Sequence, residues 1–324
     1  MRIAHCSDLH LLSHDGARFL QFANKRWIGA MNLLSSRSRH YHTDAFEDMV
    51  VDLNEIGVDH VLCTGDVTNL AFAQEFAYAK QRFDALTLGP QHVTVVPGNH
   101  DAYVAEGIGH FLATFADYCR TDASWEWPEV GVASAAGGPN PGDRPGTSDA
   151  QLQWPIVRVR GEVALIGLST SRATPWFTAH GTVGATQLSR LRTALTDPRL
   201  AGKARIIAIH HPPAGKRAFS KVRGLRDHAA FAAVLAEVGA DLVVHGHEHL
   251  DLRETLPGPD QQEIPVLGVP SGTYDGNKPE RTGRYRVIEL SNGRVTGHHL
   301  RVWHRASRRF ERDAHEPAMS AKAG

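Results

Sequence analysis

The sequence predicts an α/β protein, a sandwich of two β-sheets with helices on both outer faces. Three observations predict it. Strand-like and helix-like segments alternate through the first half of the chain, and the order β-α-β-α-β calls for parallel strands with crossover helices. The second half adds further strand-like runs, several in hairpin or antiparallel order. Finally, five short motifs rich in Asp, Asn and His each follow directly on an apolar, strand-like run: Asp8-Leu9-His10, Gly65-Asp66, Gly98-Asn99-His100-Asp101, His210-His211-Pro212 and Gly246-His247-Glu248-His249. A run that ends in such residues presents them at the rim of a sheet, where open α/β folds bind ligands.

Taken in order, residues 1–7 read as a strand that runs into the first motif. Residues 45–56 carry helical periodicity, with Asp44 as N-cap. Residues 59–64 form a buried strand, 72–86 a helix and 92–96 another strand, which Pro97 ends. Residues 102–118 read as a helix. The Gly/Pro-rich stretch 130–150 reads as a surface loop, a variable insertion. A hairpin of residues 155–159 and 162–168 turns at Arg160-Gly161. Residues 185–195 are helical, and 204–209 form a buried strand ending at His210. Residues 227–238 form a helix and 241–244 a strand leading into His245-Gly246-His247. Residues 264–269, 284–290 and 294–303 complete an antiparallel-looking set. No repeat recurs at solenoid spacing. Beyond Trp303 the chain turns polar and Arg-rich, so the expected domain is residues 1–304 with a disordered tail over 305–324.

Composition narrows the function classes. At 324 residues the chain suffices for one large domain or two small ones. Formal net charge is zero, so no global field draws in nucleic acid or an anionic membrane, though a local patch still can. The three cysteines, Cys6, Cys63 and Cys119, include no CxxC pair, which argues against a disulfide framework and a thiolate zinc site. The first residues already form a strand, which leaves no room for a signal peptide, and no run approaches the ~20 apolar residues of a membrane span. The expected location is the cytoplasm, with peripheral attachment to the inner face of a membrane left open.

The motifs carry the chemistry. Carboxylate, amide oxygen and imidazole suit borderline to hard ions such as Mn²⁺, Fe²⁺/Fe³⁺, Co²⁺ or Zn²⁺. If Asp8 and His10 alternate along a strand, both point to one face. The same holds for His247 and His249, so the two pairs can pinch one ion between them. Asp66 has two oxygens and can bridge to a second ion, whose sphere Asn99, His210 and His247 can complete. Two ions roughly 3.5–4 Å apart clamp a phosphoryl group and lower the pKa of a bound water, giving a hydroxide nucleophile near neutral pH. His100 follows Asn99 and can lie beside the ions without binding them, with Asp101 orienting its ring. Glu248 alternates out of the histidine face and reads as solvated or as lying behind the ligands. His5, His245, His298, His299 and His304 have no motif context and read as structural or surface histidines.

DxH, GD, GNHD, a histidine before proline and GHxH, in this order from Asp8 to His249, resemble the calcineurin-like metallophosphoesterases. The resemblance implies a four-layer αββα sandwich of two mixed β-sheets flanked by helices, with two metal ions (Mn, Fe, Zn or Co). Carried over residue by residue, it implies Asp8, His10, Asp66 and His249 on one ion, and Asp66, Asn99, His210 and His247 on the other. His100 would be the general acid or transition-state stabiliser. The H-x-P spacing implies His210 rather than His211 as ligand, with His211 lying behind it. No ligand position of the family pattern is missing.

Residues 16–43 contain no Asp or Glu, and place Arg18, Lys25, Arg26, Arg37 and Arg39 among Phe19, Phe22, Trp27 and other apolar residues. One reading is a helix with its apolar face on the core and a solvated basic face. The other is a cap at the mouth of the site, where Arg26 and Trp27 meet an anionic, partly apolar substrate or an anionic lipid surface.

The expected function is hydrolysis of a small phosphoester. Compact chains with GNHD and GHxH look like the bacterial class III cyclic-nucleotide phosphodiesterases, which implies a small nucleotide-type phosphodiester as substrate. The alternative is pyrophosphate hydrolysis of a lipid-linked nucleotide, as in the UDP-2,3-diacylglucosamine hydrolases, favoured by the basic-apolar segment. Nucleic acid is not expected as a partner, because no extra DNA-binding domain or positive net charge is present. A non-catalytic scaffold on this fold, as in retromer subunits, would show lost ligands, and here every position is filled.

Overall fold

In the computed structural model, which describes residues 1–12, 40–127, 153–175 and 177–314, the apolar runs of the first half become parallel strands. These are β1 (Arg2–Cys6), β2 (His60–Cys63) and β3 (Val93–Val95), paired in register β1–β2 and β2–β3. They are buried on both faces, which is why they read as continuous apolar runs. The crossovers are α1 (Thr43–Ile56) and α2 (Ala73–Phe83). α3 (Gly107–Phe115) packs on α2, with Phe76 meeting Phe111 and Phe115 edge to face.

The second half supplies β4 (Ile156–Arg160), β5 (Val163–Gly167), α4 (Ala185–Leu195), β6 (Ala204–Ala208), α5 (His228–Val238) and β7 (Leu242–His245). It closes with β8 (Arg253–Pro257), β9 (Glu263–Gly268), β10 (Arg284–Ser291), β11 (Arg294–His304) and β12 (Arg309–Arg312). One sheet has the order β12-β11-β10-β1-β2-β3 and the other β4-β5-β6-β7-β9-β8. Both are mixed: β10 runs antiparallel to β1, while β5, β6, β7 and β9 are parallel and flanked by antiparallel β4 and β8.

Strand periodicity sorts the core into layers. Val163, Leu165, Ile206 and Val244 face the first sheet and join its core with Ile3 and Val61. Their neighbours Ala164, Ile166, Ile207 and Val243 face outward, under Leu191 and Leu195 of α4 and Phe231 and Leu235 of α5. Helices α1, α2 and α3 contribute Met49, Phe76 and Phe111 to the core of the first sheet. The result is the αββα sandwich that the sequence predicts.

Four details differ from expectation. Residues 264–269 do not join an antiparallel set with 284–290 and 294–303: β9 lies in the other sheet, parallel to β7, whereas β10 and β11 pair with β1. β8 carries no apolar periodicity because four of its five residues are exposed on a sheet edge. Asp44 is not the N-cap; His42 holds that position, and Asp44 accepts a bond from Arg308 Nη1 at 3.0 Å.

The largest difference is the Arg-rich tail. Residues 305–314 are folded, and β12 extends the first sheet; residues 315–324 lie outside the described residues. The physical reason is a stripe of acids on α1. Asp44, Asp48 and Asp52 recur every four residues and so share one helical face. Arg308 binds Asp44 and Asp48, and Arg301 binds Asp52, pinning the β11–β12 hairpin across the helix. Phe310 is buried against Tyr285, with ring centroids 5.3 Å apart. The Gly/Pro-rich stretch 130–150 and most of 16–43 lie outside the described residues. Phe310→Ala should therefore lower stability by about 3–5 kcal/mol in urea unfolding. A loss below about 0.5 kcal/mol, usual for an exposed site, would contradict the folded hairpin.

Candidate metal centre

All five motifs lie just beyond the C-terminal ends of parallel strands: β1, β2 and β3 in one sheet, β6 and β7 in the other. The two sheets therefore bring their motif loops together at one edge of the sandwich.

The i, i+2 pairs do not sit on strands. β1 ends at Cys6 and β7 at His245. Asp8, His10, Asp66, His247 and His249 all have left-handed backbone, with φ of 54°, 45°, 53°, 72° and 53°. Left-handed backbone is uncommon outside Gly and is enriched in Asp, Asn and His. The consequence is a correction: His247 and His249 do not share one cluster but diverge into two.

In the first cluster, His249 Nε2 lies 3.1 Å from Asp8 Oδ1 and 3.3 Å from His10 Nε2, and His10 Nε2 lies 3.9 Å from Asp66 Oδ2. In the second, Asn99 Oδ1 is 2.7 Å from His247 Nδ1 and 3.0 Å from His210 Nε2. His210 Nε2 lies 3.6 Å from Asp66 Oδ1. One oxygen of Asp66 thus faces each cluster. Gly98 makes room for this, because a Cβ there would overlap the Asp66 carboxylate.

The tautomer of His210 follows from its partner. His210 Nδ1 donates to the Thr64 carbonyl at 2.7 Å, so Nε2 presents a lone pair to the cluster. Burial holds His210 and His247 below the ordinary imidazole range, which keeps both rings neutral near pH 7. Burial opposes ionisation of Asp8, but the adjacent His249 prevails and holds its carboxyl well below the usual range. Asp8 Oδ1 is buried, with His249 Nε2 beside it at 3.1 Å. Imidazole lone pairs, an amide oxygen and carboxylates converging in this way fit a pair of divalent cations.

His100 is half-buried beside the clusters, its ring 4.9 Å from that of His10 and stacked on Tyr103 at 5.5 Å. Its backbone N–H donates to Asp66 Oδ1 at 2.7 Å, and its Nδ1 donates to the Asn69 carbonyl at 2.7 Å. Asp101 does not orient this ring, contrary to expectation. It accepts from Gly98 N, Val67 N, Thr68 N and Thr68 Oγ1, tying the GD loop to the GNHD loop. Burial pushes its carboxyl up to about 6 against the pull of those donors.

His211 lies behind the second cluster, its ring 4.5 Å from that of His247. Its Nε2 donates to the Ala179 carbonyl at 3.0 Å, and its Nδ1 accepts from Thr170 Oγ1 at 2.7 Å. Both ring nitrogens are engaged, so neither offers a lone pair to an ion. Glu248 binds Arg217, and its Oε1 lies 3.9 Å from His247 Nε2, the nitrogen of that ring turned away from Asn99. Arg26 and Trp27 lie outside the described residues.

Sequence reasoning missed Tyr41 and Asn69. Tyr41 Oη lies 3.0 Å from His249 Nδ1, and its ring meets His10 edge-on at 4.9 Å. Asn69 Nδ2 donates to the His10 carbonyl while its own carbonyl holds His100. Neither residue stands in a motif, although Asn69 follows Gly65-Asp66 closely enough to have been considered.

The sequence profile of the calcineurin-like phosphoesterases matches residues 1–251. No curated protein sequence matches the chain. Among solved structures, a dimetal phosphatase from Danio rerio superposes with a TM-score of 0.56 at 13% identity, covering 89% of this chain and 92% of that one. The purple acid phosphatase PPD1 from yellow lupin (Lupinus luteus) seeds superposes with a TM-score of 0.54 at 10% identity. That match covers 96% of this chain and 52% of the other, so this chain spans about half its length. At these identities the likeness shows a shared fold.

The packing behind the site gives a test. A Cβ on Gly181 would collide with the His211 ring, whereas one on Gly109 meets nothing. Gly181→Ala should cost about 1–3 kcal/mol in urea unfolding, as overpacking does. Gly109→Ala should leave stability unchanged or raise it. Equal effects of the two substitutions would sink the assigned position of His211.

Proposed function

The chain belongs to the calcineurin-like phosphoesterases, which are metal-dependent hydrolases of phosphoesters, and we propose that it cleaves a phosphodiester of small, nucleotide-type substrates. The observation that carries the reading is the Asp66 carboxylate, with one oxygen toward each donor cluster. In this reading Asp8, His10, Asp66 and His249 hold one ion, and Asp66, Asn99, His210 and His247 the other. When bound, the two ions would supply charge to neutralise the phosphoryl oxygens and would lower the pKa of a water nucleophile.

The protein's own residues do the rest. His100 is fixed through Nδ1, which leaves Nε2 as the atom that can pass a proton to the leaving oxygen. Tyr41 and Thr64 hold His249 and His210 by their outer nitrogens and so aim the inner ones. The charge of the site favours a diester. The donor atoms that converge in both clusters come from carboxylates, an amide and imidazoles. Among the described residues, the Arg223 guanidinium reaches the His247 carbonyl at 3.5 Å. A monoanionic diester needs fewer cations than a dianionic monoester. A lipid-linked nucleotide pyrophosphate remains the alternative substrate, favoured by the basic-apolar composition of residues 16–43.

The test compares Mn²⁺-supplemented hydrolysis of bis-p-nitrophenyl phosphate with that of the monoester. We expect the diester to be cleaved faster and a chelator to abolish turnover. Asn99→Ala should lose the activity, and His100→Ala should lower kcat by about 10²–10⁴-fold. A preference for the monoester would overturn the diester assignment. Absence of turnover with every divalent metal would overturn the catalytic reading for such substrates.

A further inference from the structure

Beside the second donor cluster lies a rim that the hydrolytic reading does not use. It consists of two segments running side by side. Ala179 N donates to the Val222 carbonyl at 2.9 Å and Gly181 N to the Gly224 carbonyl at 3.1 Å, with a parallel bridge from Gly181 to Leu225. The rim is fastened to the site through the Ala179 carbonyl on His211 and through Arg217 on Glu248.

Its surface is unusual in two respects. Four large apolar residues are exposed among the described residues, and three of them lie here: Phe177 (77%), Phe219 (64%) and Val222 (48%). Phe177 has left-handed backbone, inside the turn closed by Thr178 N on the Pro175 carbonyl, and Trp176 precedes it in the sequence. Residues 214–226 also contain Lys216, Arg217, Lys221, Arg223 and Arg226 and no acid, and all five cations are exposed. Lys216, Lys221 and Arg226 form no ion pair among the described residues, whereas Arg217 is paired with Glu248. The rim opens on a cavity of about 490 Å³ lined by Gly215, Lys216, Arg217, Phe219, Leu252 and Glu254, which sets two cations and one carboxylate among apolar walls.

We propose that this rim docks the protein on an anionic phospholipid surface, with Phe177, Phe219 and Val222 entering the headgroup layer and Lys216, Lys221 and Arg226 contacting lipid phosphates. Protruding apolar tips surrounded by unpaired cations are what an anionic interface binds, through buried apolar area and charge together. No helix among the described residues is long and apolar enough to cross a membrane, so the contact is with the surface. A single-stranded nucleic acid would want a cationic groove lined by stacking rings. Here the apolar side chains project outward, and Val222 offers a base no face to stack on. The inference does not rest on the diester assignment. It differs from a contact through residues 16–43, because the groups that bind are elsewhere.

Co-sedimentation of the full chain with phosphatidylcholine vesicles, with and without phosphatidylglycerol, tests it. Wild type should bind only the vesicles containing phosphatidylglycerol, and less well as salt is raised. Lys216→Glu combined with Lys221→Glu, and separately Phe177→Ser combined with Val222→Ser, should each weaken binding by about tenfold or more. Both variants should keep the wild-type unfolding midpoint, since the side chains are exposed. The proposal is overturned if wild type shows no dependence on phosphatidylglycerol, or if both variants bind as wild type does, which would move the contact elsewhere. It is likewise overturned if the two variants lose affinity for a single-stranded RNA while vesicle binding is unchanged.

Discussion

Lone pairs converge where the ends of two sheets meet, and the surrounding structure is arranged to hold them there. Desolvation and mutual repulsion oppose gathering Asp8, Asp66, Asn99 and four imidazoles in a buried space. Left-handed backbone at five of these residues adds strain, on the order of 1–3 kcal/mol for each. Such conformations persist only when neighbours over-determine them, and the neighbours do. Ser271 Oγ donates to the Asp8 carbonyl at 2.6 Å, Thr273 Oγ1 to the Leu9 carbonyl at 2.7 Å, and Gly272 N to the Ser7 carbonyl at 2.9 Å. Asn69 holds the His10 carbonyl, and Asp101 gathers the donors of two further loops. The turns carrying Asp8, His10, Asp66 and Asn99 are thus tied down from behind.

The same residues join the sheets. His210 follows β6 in one sheet and donates to Thr64, which follows β2 in the other. His247 N donates to Asp8 Oδ2 across the same gap at 2.9 Å. Elsewhere two fully buried arginines span the layers. Arg158 of β4 donates to the carbonyls of Val93, Pro90, Arg120 and Asp117, and Arg286 of β10 reaches Asp251 and the Gly268 carbonyl. Burial lowers Arg158 to about 10, still charged at neutral pH and matched by four carbonyl acceptors. Ligand-bearing loops at one edge and arginines at others make the sandwich a single polar-stapled unit. An ion bound to the folded site alone would stabilise the whole sandwich by mass action.

How much of this was legible in the sequence depended on the kind of signal. The parallel strands were visible because burial on both faces produces unbroken apolar runs such as Val61-Leu62-Cys63. The site was visible because its chemistry restricts residue types at each strand end. Backbone handedness was not visible: alternation along a strand and left-handed turns both allow Asp8 and His10 to meet, but only the turns send His247 and His249 to different clusters. The β11–β12 hairpin was hidden because a run of arginines resembles a solvated tail until its partners on α1 are known. Those partners lie some 260 positions away in sequence, as in Arg308 with Asp48. Tyr41 acts through one hydroxyl on one imidazole, and a lone tyrosine outside any motif carries no sequence signal for that task.

Zero net charge conceals a sharp separation of sign. The floor of the site is built from carboxylates and imidazoles, and the cations of residues 214–226 stand at its margin. At physiological ionic strength exposed charges act over about 8 Å, so an anion at the rim responds to these local cations and not to the molecule as a whole. The floor by itself repels an anion. Cations held by both clusters would reverse that sign. The cationic rim and the donor clusters are joined by the short links from Arg217 to Glu248 and from Ala179 to His211.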